Sequence, residues 1–336
     1  MTDARDYRIW LLSLVPTRPK GRWWSALCIL AFGAIIYGIA AWRSAGNGLA
    51  GGDFSAPVAA FFVAAVAYVI PVFHYITERT REGLDQLAPR VTADLLAKTR
   101  RSLTHKPLHW MVRNALVAVT LWLLQSWLLA GGWRNMLDTV SEGYVAIVMA
   151  FGPLPVWLVL TAATRALIEN AFSFRRIAGD VRADVFCPPS FVPVGAMAVT
   201  STLFVLGALA LLPIMWLGGP ISWWTTLPAL VMLLPTVLAL LLLPVWPLHR
   251  ELLRQRREAI RRAQAVIDDA RRSSEGGMSG ADLVNALALR REVLRLSVWP
   301  FDIGELTRLL AYGIIVPSTW AGAALIEMLV NLLVDG

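Results

Sequence analysis

The 336-residue chain is 57% hydrophobic and 16% charged, with a formal net charge of +8 and a mean hydropathy of +0.59. Soluble domains average roughly 45–50% apolar and 25% charged residues, so an ordinary water-soluble fold is excluded. The excess of cations is a topology signal and does not point to nucleic acid.

A helix that crosses a bilayer needs roughly 20 mostly apolar residues. Seven stretches meet this requirement: 24–42, 55–76, 111–131, 144–164, 192–216, 224–246 and 309–333. The expected fold class is therefore all-α, a polytopic membrane protein of about seven transmembrane helices with cytoplasmic helical extensions. The first stretch follows the basic run "RPKGRWW". It is longer than the roughly 7–15-residue core of a signal peptide and lacks a clear cleavage site, so it reads as a retained span. The loops "RSAGNGLAGGDF" and "GGWRNMLDTVSEG" are short. Residues 78–108 read as a helix that breaks at Pro89 and restarts from a Thr92 cap. Residues 165–190 end in "VFCPPSF", whose prolines stop one element before the fifth span. Only "LGGPISWW" joins the fifth and sixth spans, which predicts a tight hairpin between them.

Residues 248–300 form the largest polar insertion. Leu253, Ile260, Ala263, Ile267 and Ala270 lie on one helical stripe, with arginines elsewhere. After the turn "SSEGGMSG", Ser279 and Asp282 fit a capping box. A second helix then places Ala286, Leu289, Val293 and Leu296 on one face. The segment reads as a helical hairpin whose first arm also continues the sixth span into solvent. The chain thus divides into a six-helix transmembrane region (1–247) with cytoplasmic loops 78–108 and 165–190, a cytoplasmic helical hairpin (248–300) and a last transmembrane helix (301–336).

Lys and Arg concentrate in cytoplasmic loops because they resist translocation. Of the 31 Lys and Arg residues, all but Arg43 and Arg134 fall in segments 1–22, 78–113, 165–190 and 248–308. With seven spans these segments share one side, and placing that side in the cytoplasm predicts an N-terminus inside and a C-terminus outside. Tryptophans mark the interfaces at residues 23, 24, 42, 133, 216, 223, 224 and 246.

Several functions fail on residue types. A retinal protein needs a lysine in its last span, and the lysines are Lys20, Lys98 and Lys106. A G-protein-coupled receptor has the opposite orientation. The chain contains no HExxH, no GxxxxGK[ST] and no G-x-S-x-G, so no enzyme, cofactor or metal site is expected. His105 and His109 are i,i+4, but Pro107 lies between them, and interfacial roles are expected for His74 and His249 as well. Cys28 and Cys187 lie at different depths beside a reducing compartment, which argues against a disulfide.

The last helix carries Glu327 at hydrocarbon depth. An intramembrane carboxylate faces a bundle interior or a watery cavity. Gly313, Pro317, Trp320, Ala324, Glu327 and Asn331 follow steps of three or four and share one face. Two roles compete for that face. It lines a cation route with a hinge at Gly313 and Pro317, or Glu327 joins helices through Gln125, Ser126 or the Thr200–Ser201–Thr202 group.

The stretches "WPFDIGELTRLLAYGIIVPSTWAGAALIEML" and "RRIAGDVRADVFCPPSFVPVG" resemble the corresponding parts of an uncharacterised family of bacterial seven-helix multispanning membrane proteins, over about a fifth of the chain. That resemblance implies a multi-pass protein of the bacterial inner (plasma) membrane and carries no activity. In architecture alone the chain resembles the insect odorant- and gustatory-receptor channels, although their last-helix Thr-Tyr…Gln-Phe signature is absent. The second resemblance implies a homo-oligomeric, ligand-gated cation channel lined by the last helix. The alternatives are a membrane scaffold or sensor acting through the hairpin and, third, a small-solute transporter, which the lack of internal repeats disfavours. The expected partners are the lipid bilayer, other copies of the chain and a ligand of unknown identity.

Overall fold

A computed structural model describes residues 6–18, 20–47, 54–130, 143–180, 192–217, 223–272, 280–295, 299, 301 and 303–334. The element order is β1 (Asp6–Arg8), α1 (Trp10–Ser13), α2 (Gly21–Asn47), α3 (Ala56–Leu87), a 3-10 turn (Ala88–Arg90), α4 (Ala93–Thr104), β2 (His105–Pro107), α5 (Leu108–Ala130) and α6 (Tyr144–Phe151). It continues with α7 (Pro153–Asp180), α8 (Val192–Leu209), a 3-10 turn (Leu212–Trp216), α9 (Trp223–Arg272), α10 (Gly280–Arg295) and α11 (Ile303–Val334).

Among the described residues, six helical stretches are long and apolar enough to cross a bilayer: Gly21–Ala45, Ala56–Arg90, Leu108–Leu128, Tyr144–Gly179, Val192–Met215 and Leu233–Asp269. They fall on the first six predicted spans. The seventh falls on α11, a helix of 32 residues, many of whose side chains lie outside the described residues. The chain is an all-α, multi-pass membrane protein.

Helices α3, α7 and α8 build the centre of the bundle around Phe73, Ile70, Ala163, Leu167 and Phe204, with Leu233 and Leu240 of α9 against them. Small residues let these helices approach closely, as is common where lipid removes the hydrophobic drive for association. A Cβ added to Gly207 of α8 would lie 1.9 Å from the hydroxyl of Tyr68 on α3. That hydroxyl donates to the Phe204 carbonyl at 3.1 Å. On the opposite flank α2 touches α3 at Gly33, where an added Cβ would fall 2.4 Å from Val63. The rest of α2 turns Leu27, Leu30, Ile35 and Ile39 outward, as a lipid-facing helix must.

One end of the bundle carries the basic segments and a second core of Leu84, Leu87, Leu96, Phe174, Ile177, Leu248 and Leu252. Here α3 gives way to the turn containing Pro89, and α4 begins after Thr92 in extended conformation, at the positions the sequence predicts, although the Thr92 side chain makes no capping hydrogen bond. The unpredicted element is a two-stranded sheet. β1 pairs antiparallel with β2, and Ile9, Leu11 and Leu12 follow it into full burial. Three-residue strands are too short to show a period-two pattern.

α9 joins the sixth span and the first arm of the hairpin in one 50-residue helix, about 75 Å long at 1.5 Å per residue. α10 packs back on it. The turn between them, with Ser279 of the predicted capping box, lies outside the described residues, as do residues 131–142 and the "CPPSF" segment.

Candidate functional site

Three places gather polar or unpartnered groups: the seam between α5 and α7, the last helix, and the hairpin.

The seam is a column of side chains at helical steps. On α7, Trp157, Thr161, Arg165 and Glu169 follow at intervals of four. Facing them are Lys106 of β2 and Trp110, Asn114 and Gln125 of α5, which lie on one helical stripe. Trp157 Nε1 donates to Gln125 Oε1 at 2.6 Å. Asn114 contacts Thr161 at 3.2 Å, and Thr161 in turn donates to the Trp157 carbonyl. At the basic end Glu169 accepts from Lys106 Nζ at 2.7 Å, Trp110 Nε1 at 2.6 Å and Arg165 Nε at 3.2 Å. Both cations also stand near the Trp110 ring, Arg165 at 5.0 Å and Lys106 at 5.7 Å from its centroid, within cation–π range. Lys106 is only 6% exposed. An ammonium so buried is tolerable because its carboxylate partner is itself fully bonded. The seam is thus a satisfied lock between helices.

The sequence reading missed this cluster because it ended the fourth span at residue 164. The helix continues to Asp180, so Glu169 belongs to a buried helical face and not to a loop. The i,i+4 column on α7, matched by 106, 110 and 114, was the available signal.

The predicted last-helix residues all lie on α11. Trp320 is half-buried, and its indole N–H donates to the Leu209 carbonyl of α8 at 3.4 Å. Gly313 is exposed, and a Cβ there would meet nothing within 4 Å. The side chains of Pro317, Ala324, Glu327 and Asn331 lie outside the described residues. Three of the five partners foreseen for Glu327 have bonds of their own. Gln125 is taken by Trp157, while Thr200 and Thr202 donate to the carbonyls of Ala196 and Ala198 in their own helix. His105 and His109 fall on different elements, His105 opening β2 and His109 lying on α5. Among the described residues no group of three or more His, Cys, Asp or Glu residues is placed to hold a metal ion.

The hairpin is closed by Ala263 and Ile267 of α9 and Val293 of α10, all buried. Arg256 fastens the arms further by donating to the Leu294 carbonyl at 2.6 Å. Ile260 is partly buried, in keeping with the predicted stripe, but Leu289 is 43% exposed. Val284, Leu287 and Leu294 are more exposed still, at 64%, 46% and 50%. At about 100° per residue they share an arc of about 80° on α10, turned away from Val293 by about 100° to 180°. At the hairpin's base His249 stacks on Trp299 with ring centroids 3.9 Å apart, and Trp299 stacks in turn on Phe301 at 5.9 Å. This aromatic stack links α9 to the segment that enters α11.

Comparison with family models, with curated proteins and with solved structures finds no match to this chain.

Proposed function

We propose that this multi-pass membrane protein is a sensor or scaffold of the bacterial inner membrane, working through the helical hairpin on the cytoplasmic side. The charge distribution supports that orientation. The observation that carries the reading is the exposed strip Val284, Leu287 and Leu294 on α10. Exposed apolar residues facing lipid need no partner, but the hairpin extends past the apolar part of α9, where such a strip suits a protein contact. The unbroken α9 and the His249–Trp299 stack join that strip to the bundle and to α11, so a partner's docking reaches the membrane helices. The test is the pair of substitutions Leu287→Glu and Leu294→Glu in the full chain. Partner capture should be lost while membrane insertion and melting temperature stay unchanged; an unaltered set of captured proteins would sink the proposal.

The second reading is a homo-oligomeric, ligand-gated cation channel whose axis is lined by α11. It is favoured by the way α11 sits at the edge of the bundle, packed on α8 and the 212–216 turn with Gly313 open. In planar bilayers Glu327→Gln should then change single-channel conductance or cation selectivity. A purified protein that stays monomeric has no central axis to line, and the reading fails.

A further inference from the structure

A cleft of about 860 Å³ lies between α2 and the pair α3 and α7, with α6 closing one end. Its walls are almost wholly apolar: Ile29, Phe32, Ile36, Val66, Phe151 and Leu158 among them. One end is sealed where Gly152 meets Tyr37 and Phe62, since a Cβ at Gly152 would lie 2.6 Å from the Tyr37 hydroxyl and 2.5 Å from the Phe62 ring. The other end reaches Pro16 and Trp24 at the basic end of the bundle. From Trp24 to Tyr37 the cleft follows α2 for about 20 Å at 1.5 Å per residue, somewhat more than half of the roughly 30 Å hydrocarbon thickness. It therefore spans the roughly 15 Å of one leaflet and reaches a little past the midplane, and its volume lies within the usual range for bound small molecules.

The mouth has a charge to match. Between Pro16 and Trp24 the chain makes a tight turn in which a Cβ at Gly21 would strike the Pro16 carbonyl at 1.9 Å. The turn is held by Gly21 N–H donating to the Arg18 carbonyl and Trp24 N–H donating to the Lys20 carbonyl. Arg18 and Lys20 are both exposed there, and Lys20 takes a left-handed backbone conformation (φ 65°) to make the turn. Arg22, on the first turn of α2, lies 3.3 Å from Glu78 of α3, whereas Arg18 and Lys20 stand exposed in the chain between Pro16 and Trp24, the residues that line this end of the cleft. An apolar slot spanning one leaflet, open between spanning helices and flanked by two cations at headgroup level, has the chemistry of a phospholipid site. We propose that the cleft holds an acyl chain of an anionic phospholipid from the basic-side leaflet, with its phosphate at Arg18 and Lys20.

Cys28 lines the cleft and is exposed, which gives a direct reporter once Cys187 is replaced by serine. The full chain is purified in mild detergent, supplemented with phosphatidylglycerol or phosphatidylcholine at equal mole fraction, and the rate of maleimide modification at Cys28 is followed; native mass spectrometry counts the lipids retained. Phosphatidylglycerol should protect the thiol and stay bound with a preference on the order of tenfold, given the attraction of Lys and Arg for anionic headgroups. Arg18→Glu with Lys20→Glu should erase that preference while leaving protection at the phosphatidylcholine level. Cys28→Trp, which fills the slot, should lower retention of both lipids. Equal protection by the two lipids in the parent protein overturns the proposal without relying on any variant's folding. So does a dimer that Cys28→Trp splits, because the cleft would then belong to a second copy.

Discussion

Lys106 and Glu169, 63 residues apart in the chain, meet at 2.7 Å and join β2 to α7. Their contact exists because β1 and β2 pair at the basic end and turn the middle residue of β2 inward. Removing the cation leaves a carboxylate supported only by Trp110 and Arg165. Lys106→Ala should destabilise the protein by about 3 kcal/mol, the low end for a broken buried pair, since a third of Glu169 still reaches solvent. Melting in detergent checks this. Lys106→Ala with Glu169→Gln should recover part of the loss, and a double variant no more stable than the single would show that the pair is not the source.

The same seam shows what can be read from residue order and what cannot. Hydropathy located six spans because each must cross the same thickness of hydrocarbon, and Pro89 and Thr92 marked a helix break through local backbone chemistry. The hairpin's buried Ala263, Ile267 and Val293 were visible as helical stripes. Glu169 was not visible, because a hydropathy window ends where charges begin even when the helix and its buried face continue. The burial of Ile9 and Leu11 depends on a strand partner about a hundred residues away. The cleft beside α2 depends on how three helices splay, which no local pattern encodes. For the last helix, the side chains of Pro317, Ala324, Glu327 and Asn331 lie outside the described residues, so only Gly313 and Trp320 of the predicted face can be placed.

Gly207 and Tyr68 set the spacing of α8 against α3. Gly207→Ala puts a methyl where the Tyr68 hydroxyl lies, and overpacking of this kind costs about 1–3 kcal/mol. Tyr68→Phe removes the obstructing oxygen, so the double variant should melt above Gly207→Ala alone. If Gly207→Ala melts with the parent, the two helices are not held at this distance.

The orientation rests on the cations and can be tested away from any function. In a background lacking Cys28 and Cys187, Val284→Cys on α10 should react with a membrane-impermeant maleimide only after the cytoplasmic face is opened. Labelling in intact cells would reverse the topology and with it the cytoplasmic placement of the hairpin.

The stack of His249 on Trp299 ties the middle of α9 to the entry of α11. Offset aromatic pairs contribute about 0.5–1.5 kcal/mol beyond the area they bury, too little to decide whether the bundle folds but enough to change how often the hairpin's base opens. Trp299→Ala should therefore leave the bundle's melting temperature within a degree or two of the parent. By the same reasoning, amide exchange should quicken several-fold in α10 and the first turns of α11. Exchange in α3 and α7, whose cores are Phe73, Ile70 and Leu167, should not change. If α10 keeps its protection, the hairpin is held by Ala263, Ile267 and Val293 alone, and a partner bound at Leu287 would have no aromatic route to the last helix.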